Sequence, residues 1–215
     1  YPLIINGKEE TSAKTFTSHN PAHTQEVIGI FQEANEAQTE AAIQAACRAF
    51  ETWKEVPADS RARYLFEMAA LLRKQKYEFA AWLTYEAGKN WREADAEVAE
   101  AIDFLEYYGR EMIRLSTPHA LVPIATEHNR LVYLPIGMGA IITPWNFPLA
   151  ILVGMTTAAV VTGNTTVVKP SEFAPASGAQ FMSLVEKVGL PNGVINTVTG
   201  RGATVGQYLV KHPQV

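Results

Sequence analysis

The sequence predicts an α/β fold, in which an N-terminal layer of helices precedes a parallel sheet with flanking helices. Apolar residues recur at helical spacing between residues 36 and 112, which predicts amphipathic helices. From Arg130 onward, short apolar runs alternate with helical patterns, as they do in right-handed βαβ units. Hydrophobic residues make up 47% of the 215 residues, which is enough to form a substantial core.

Composition excludes several classes of partner. The formal net charge is -4 and no basic block is present, so nucleic acid is not an expected partner. The longest apolar run, from Pro148 to Val161, contains Thr156 and Thr157 and is too short to span a bilayer, so no membrane partner is expected. The single cysteine, Cys47, has no partner for an internal disulfide, which favours a reducing cytoplasm.

The first 31 residues are predicted to form short strands or extended arms, at residues 2–7 and 26–31. His19 and His23 have the spacing of a helical metal-binding pair. Pro21 lies between them and would break that helix, so we predict no metal site here.

Three helices are predicted next. The first spans about residues 36–53, and the second spans about 60–87 and ends at Gly88. The third begins at Asn90, where Glu93 completes a variant of the capping box. Each predicted helix has one apolar face that we expect to be buried. This face contains Ile43, Cys47 and Phe50 in the first helix, Leu65, Met68, Leu72, Phe79 and Leu83 in the second, and Val98, Ile102, Leu105 and Met112 in the third. A cysteine on such a face is expected to be a buried apolar group rather than a nucleophile.

Residues 116–129 change character. Pro118 and Pro123 exclude a helix interior, and the segment is typical of an extended arm or hairpin. Such a strand arm, protruding from the helical layer, often pairs with another subunit. An ordinary surface loop has the same composition, so the sequence leaves both interpretations open.

The second half of the chain is predicted to alternate strands and helices. Strands are expected at residues 130–135, 137–143, 165–170 and 194–200, and helices at 148–163, 175–188 and 203–211. This order predicts a parallel sheet of three or four strands. Ligands of open parallel sheets bind beyond the carboxyl ends of the strands, so residues 143–148, 169–172 and 199–206 are the candidate binding segments.

Two of these segments suggest a nucleotide. Lys169 and Glu172 flank a strand exit, where they can bind ribose hydroxyls, and the carboxylate would repel a 2′-phosphate, which favours NAD over NADP. A solvated Lys–Glu pair is the alternative. Gly200, Gly202 and Gly206 lie between a strand and a helix but lack the spacing of the dinucleotide fingerprint, so they are equally typical of a turn or of close packing.

The third segment holds an asparagine between two prolines. Pro144 and Pro148 restrict the backbone on either side, so Asn146 is expected to lie in a stiff loop before a buried helix. A neutral amide that is fixed in advance suits an oxyanion hole. Capping of the helix is the alternative, although Pro148 at the first helical position would place the cap at Phe147.

These segments closely resemble the aldehyde dehydrogenase superfamily. The stretches TPWNFPL, GNTTVVKPSE and LPNGVINTVTGRGATVG occur in that family's order and spacing, as does the upstream helix that ends in AFETW. Within the superfamily, the stretch AEAIDFLEYYGREMIRL is most similar to the delta-1-pyrroline-5-carboxylate (L-glutamate γ-semialdehyde) dehydrogenases. The resemblance covers essentially the whole chain and implies a Rossmann-like NAD-binding domain.

The resemblance also implies an activity and a site. Members of the family oxidise aldehydes to acids with NAD(P), through a cysteine that attacks the carbonyl carbon. By resemblance, Asn146 is the catalytic oxyanion donor. The implied cofactor-binding residues are Ile142, Thr143, Pro144, Trp145, Lys169, Ser171, Glu172, Gly202 and Gly206. Phe147 is implied to line the aldehyde tunnel. Glu106 is a candidate for holding the amino acid end of the substrate, with a surface helical carboxylate as the alternative.

No residue among these 215 matches the family's nucleophilic cysteine or its general-base glutamate. Cys47 does not replace the nucleophile, because it lies far upstream of the nucleophile's position, on the apolar face of a helix. We therefore expect a fragment of a longer enzyme, inactive by itself. In this interpretation residues 1–115 and 130–215 are the N-terminal part of the NAD-binding domain, and residues 116–129 are an arm of a homo-oligomer. An aldehyde dehydrogenase of broad substrate range and a non-catalytic nucleotide-binding or assembly module are the alternatives.

Overall fold

The computed structural model describes residues 1–215 and contains seven strands and seven α-helices. The strands are β1 (Leu3–Ile5), β2 (Lys8–Glu10), β3 (Lys14–Asn20), β4 (His23–Glu33), β5 (Met138–Ile142), β6 (Thr165–Lys169) and β7 (Ile195–Thr197). The helices are α1 (Glu36–Trp53), α2 (Ala58–Lys74), α3 (Lys76–Ala87), α4 (Trp91–Ser116), α5 (Ala150–Val161), α6 (Ala176–Lys187) and α7 (Gln207–Lys211). None of these helices combines the length and apolar character that crossing a bilayer requires.

The main sheet has five strands in the order β2-β1-β7-β6-β5. Strands β5, β6 and β7 are parallel and are joined through α5 and α6, which confirms the predicted βαβ arrangement. The β1–β2 hairpin adds an antiparallel edge, where Ile4 pairs with Thr197. The sheet is therefore mixed rather than purely parallel.

Side-chain alternation along the strands divides the core between the two faces of the sheet. Val168 and Ile195 pack into the larger cluster, which contains residues of α2 to α6. Val167 lies in the smaller cluster with residues of α1 and α7. Because both faces are covered, every residue of β6 is buried, and the ends of the strands are left as the accessible edge.

The helical layer follows the prediction except at one break. Asn35 caps α1 through a complete capping box, and Gly88 ends α3 in the left-handed conformation with φ 68°. The helix predicted over residues 60–87 is two helices, α2 and α3, which separate at Gln75. No Gly or Pro marks this break. Tertiary packing accounts for the break, because α2 packs mainly against α4, whereas α3 packs against α4, α6 and β3.

Three further predictions need correction. Residues 130–135 form no strand, and Val132, Tyr133 and Leu134 are exposed, because no neighbouring segment offers them backbone hydrogen bonds. Strand β3 was not predicted, although it pairs along β4. The last predicted helix begins with a π-helical turn, Gly202–Gly206, before α7. Residues 117–129 contain no helix or strand, and their pairing with another subunit stays a prediction.

Candidate functional site

The three candidate binding segments meet at the carboxyl ends of β5, β6 and β7. The amide of Thr143 donates to the carbonyl of Lys169 at 3.2 Å, which joins the first segment to the second. The ammonium of Lys169 donates to the carbonyl of Gly200 at 2.9 Å, which joins the second segment to the third. One edge of the sheet therefore carries all three, as the parallel topology requires.

Lys169 is buried rather than solvated. Its side chain is 3% exposed, and its Nζ also donates to the carbonyl of Pro170 at 3.0 Å. Burial lowers the pKa of this ammonium, and the Glu172 carboxylate, 3.9 Å away, opposes that effect. The cation is thus held at the strand end by backbone carbonyls, and the alternative of a solvated pair does not describe it.

Glu172 links the strand exit to the glycine turn. Its Oε2 accepts a hydrogen bond from the amide of Gly202 at 2.8 Å, and its side chain remains 30% exposed. Gly200 has φ 149°, and a Cβ there would lie 2.7 Å from a methyl group of Val205, so the turn requires glycine at this position. A Cβ at Gly202 would meet no atom within 4 Å, so the space over this residue is open to a ligand.

The remaining nucleotide candidates have mixed surroundings. The Ser171 hydroxyl accepts from the amide of Phe173 at 3.2 Å within a local turn. Gly206 lies against the aliphatic part of Lys169, because a Cβ there would be 3.5 Å from its Cε. Thr143 is buried and its Oγ1 has no hydrogen-bond partner in the protein.

Asn146 is exposed, and its carboxamide makes no hydrogen bond to any other group of the protein. It does not cap the following helix. Helix α5 begins at Ala150 with Leu149 at the N-cap position, two residues later than the predicted cap at Phe147. The N-cap position is later than predicted because Pro148 lies in a turn before the helix rather than in the first turn of the helix. A free carboxamide therefore lies at the edge of the sheet.

Glu97 was not identified from the sequence and caps α5 from a different helix. Its side chain is fully buried, and its Oε1 accepts from the amides of Leu149 at 2.8 Å and Ala150 at 3.1 Å. Its Oε2 lies 2.5 Å from Nζ of Lys89, whose ammonium is 3.9 Å from the ring centroid of Phe147. Although Oε2 has no partner of ideal hydrogen-bond geometry, this short ion pair neutralises it. The sequence feature that could have identified Glu97 is the presence of a glutamate within the apolar face of α4.

Glu86 plays the same structural part for α6. It is 4% exposed and accepts from the amides of Ala176 at 2.9 Å and Ser177 at 3.3 Å, and from the hydroxyl of Ser18 at 3.0 Å. Burial raises its pKa to about 7, although these hydrogen bonds oppose the rise. The two helices that connect the parallel strands, α5 and α6, are thus both capped by carboxylates of the helical layer.

The other candidate residues divide into two groups. Ile142, Trp145 and Phe147 are exposed by 37%, 57% and 40%, so they form an apolar surface around Asn146, and Pro144 is half-buried between them. Glu106 lies elsewhere. Its two oxygens pair with Arg73 and Arg110, and it is about 13 Å along α4 from Glu97. These ion pairs engage both oxygens of Glu106, and its role in substrate binding stays a prediction.

Two cavities of about 690 and 460 Å³ reach this edge only at the third candidate segment, the first through Ala203, Thr204 and Val205 and the second through Thr199. The first cavity lies between residues 12–14 and α7, and the second lies between β1 and α6. Neither is lined by Asn146, Lys169 or Glu172. The chemistry of the open edge, rather than cavity size, identifies the candidate site. No cluster of three or more His, Cys, Asp or Glu side chains is arranged to hold a metal ion.

Comparison with known proteins gives consistent matches. The model of the "Aldehyde dehydrogenase family" matches residues 8–215. "1-Pyrroline-5-carboxylate dehydrogenase 1" of Halalkalibacterium halodurans is 50% identical over 214 residues, and the corresponding protein of Bacillus cytotoxicus is 49% identical. The chain is covered completely in both matches and spans 42% of the length of each relative.

Solved structures give the same result. A 1-pyrroline-5-carboxylate dehydrogenase from Thermus with bound NAD superposes with a TM-score of 0.97 at 46% identity, over 100% of this chain and 42% of that one. A betaine aldehyde dehydrogenase from Staphylococcus aureus, in complex with NAD⁺, superposes with a TM-score of 0.91 at 30% identity, over 100% of this chain and 44% of that one.

Proposed function

The chain belongs to the aldehyde dehydrogenase family, and from that premise we propose that it supplies the NAD-binding edge and the oxyanion donor of an enzyme that oxidises an aldehyde to a carboxylic acid. The observation that carries the proposal is the free carboxamide of Asn146, which lies at the strand edge that also presents Lys169 and Glu172. A polar group with no protein partner, in a proline-restricted loop, is available for a substrate oxygen.

The groups at the edge fit a dinucleotide. Glu172 offers a partly exposed carboxylate to ribose hydroxyls, and the space over Gly202 admits a phosphate-bearing chain. The buried Lys169 ammonium uses two of its three N–H groups on backbone carbonyls, which leaves one for a ligand. The carboxylate disfavours a 2′-phosphate, so NAD is the proposed cofactor, with NADP the weaker alternative. NAD supplies the hydride acceptor when it is bound. The backbone of residues 142–145 would line the nicotinamide side.

Asn146 would stabilise the reaction by donating its amide hydrogen to the carbonyl oxygen as negative charge develops there. Donors that are fixed before the reaction need no reorganisation and contribute about 3 kcal/mol to the transition state. Phe147 would provide an apolar wall for the aldehyde beside this donor. The chain's single cysteine, Cys47, is half-buried in α1, and burial raises the pKa of its thiol, so it does not suit a nucleophile.

The proposed substrate is L-glutamate γ-semialdehyde, formed from 1-pyrroline-5-carboxylate and oxidised to L-glutamate in proline breakdown. Support comes from the names of relatives that are 49–50% identical to the chain. We further propose a cytoplasmic homo-oligomer, in which residues 116–129 contact another copy. Leu121, Val122 and Ile124 are exposed apolar side chains in that segment and are available for such a contact.

The decisive test measures NADH production by a full-length protein that carries this chain. 1-Pyrroline-5-carboxylate is compared with a panel of aliphatic aldehydes, and it is expected to give the highest kcat/KM. A preference for an aliphatic aldehyde would favour an enzyme of broad substrate range. NAD binding without turnover of any aldehyde would instead support a non-catalytic nucleotide-binding module.

Asn146→Ala in the same protein tests the oxyanion role. We expect kcat to fall by about 10²- to 10³-fold while the Kd for NAD stays unchanged, because the donor acts on the transition state alone. Stopped-flow NADH formation gives kcat, and NAD titration followed by fluorescence gives Kd. Equal losses in kcat and in NAD affinity would contradict the assignment.

A further inference from the structure

A buried ion pair lies directly behind the turn that carries Asn146, and neither partner belongs to that turn. Glu97 comes from α4, and Lys89 comes from the connection between α3 and α4. The Glu97 carboxylate accepts from the amides of Leu149 and Ala150 at 2.8 and 3.1 Å, and it meets Lys89 at 2.5 Å. The side chain of Glu97 is 0% exposed and that of Lys89 is 11% exposed, so water screens the pair only weakly.

The pair reaches the turn through an aromatic ring. The Lys89 ammonium lies 3.9 Å from the centroid of Phe147, within the range of a cation–π interaction. The backbone that follows Asn146 is thus fixed by contacts at the Phe147 ring and at the amides of Leu149 and Ala150. The N-terminal side is held by the hydrogen bond from Thr143 to Lys169. Asn146 lies between these two anchored points and has no protein partner of its own.

Helix α5 cannot provide this anchor itself. It has no acidic residue in its first turn and no side-chain cap. Free amides and a partial positive charge at its start therefore require an acceptor from another element. Glu97 supplies both the acceptor and the charge. Its hydrogen bonds fix the backbone at Leu149 and Ala150, three and four residues after Asn146, where α5 begins.

We propose that Glu97 and Lys89 are positioning residues for the Asn146 carboxamide. This inference rests on the proposed function, since it takes Asn146 as the donor to the substrate oxygen. Neither residue contacts the reacting atoms. They act by fixing the start of α5 and the Phe147 ring, and hence the direction of the intervening side chain. A misplacement of about 1 Å in such a group lowers catalysis by up to about 10²-fold.

The first experiment replaces Glu97 in the full-length protein. Glu97→Gln keeps one acceptor oxygen but places an amide group against the Lys89 ammonium. We expect kcat to fall on the order of 10- to 100-fold, with KM for NAD unchanged. Glu86→Gln, assayed at about pH 8 where Glu86 is ionised, is the matched control, because it removes the same charge from the start of α6, away from Asn146. Its kcat should equal that of the wild-type protein, and a comparable loss there would overturn the proposal.

A double-mutant cycle with Asn146→Ala distinguishes positioning from general destabilisation. If Glu97 acts through Asn146, then Glu97→Gln causes no further loss of kcat in the Asn146→Ala background. Independent, multiplying losses would overturn the proposal. Glu97→Asp serves as a second variant if the glutamine variant does not fold, because it keeps the charge and withdraws the carboxylate by one methylene. In the Asn146→Ala background, Glu97→Asp should likewise cause no further loss of kcat.

The cycle also separates this inference from the proposed function. If the wild-type protein forms no NADH from any aldehyde, the proposed function fails. If the wild-type protein is active and Asn146→Ala is impaired, while Glu97→Gln retains full kcat or gives an independent loss, the positioning role alone fails.

Discussion

A buried carboxylate makes the stability of this fold depend on pH. Glu86 lies at the end of α3, where it is 4% exposed and accepts hydrogen bonds from the first amides of α6. Burial disfavours the charged form and raises the pKa from its ordinary value of 4.5 to about 7. The same carboxylate also accepts from Ser18, so it joins α3, α6 and β3.

The size and sign of the effect follow from linkage. The folded state binds the Glu86 proton more tightly than the unfolded state does between pH 4.5 and about pH 7. The free energy of unfolding therefore falls as pH rises through this window. The pKa difference of about 2.5 corresponds to about 3 kcal/mol, which is fully present below pH 4.5 and lost above pH 7.

Glu86→Gln removes this titration and retains an acceptor oxygen for the α6 amides. At about pH 5 the variant should match the wild-type protein to within about 1 kcal/mol. At about pH 8 the free energy of unfolding of the variant, relative to that of the wild-type protein, should be higher by about 2.5 kcal/mol than at pH 5, because the wild-type protein has lost the contribution of Glu86. Urea unfolding of both proteins at each pH measures this change, and subtraction cancels the groups that they share.

Glu78→Gln on the exposed side of α3 is the control and should show no such pH dependence. A difference between Glu86→Gln and the wild-type protein that stays constant from pH 5 to pH 8 would refute the reasoning. It would mean that the amides of α6 offset the cost of burial and keep Glu86 ionised throughout.

Two further predictions concern the cofactor and the core. Glu172→Ser should relax the discrimination against NADP, because it removes the carboxylate that is proposed to bind the ribose and would repel a 2′-phosphate. An unchanged ratio of kcat/KM values for NAD and NADP would contradict the ribose role. Arg61→Met should lower the free energy of unfolding by about 2–5 kcal/mol, because the buried guanidinium donates to the carbonyls of Val161 and Val56. Urea midpoints test this, with exposed Arg63→Met as the control, and equal midpoints for the two variants would contradict it.

Local signals determined much of the fold. The capping pattern at Asn90 and the glycine at position 88 located the end of α3 and the start of α4, because both act within one helical turn. The alternation of apolar strands and helices gave the βαβ order, and hence the edge where the candidate segments meet. The conformation of residues 130–135 was not determined in this way, because a strand exists only where another strand pairs with it.

The sequence by itself determined that Asn146 lies in a stiff loop, since two prolines restrict the backbone around it wherever the rest of the chain lies. Only the tertiary structure decided how that loop is held. Glu97 is 52 residues from the amide that it caps, and Glu86 is 90 residues from its own. Periodicity identifies the face that a helix buries, but it does not identify the element that meets that face. A buried charge therefore finds its partner only when the layers pack.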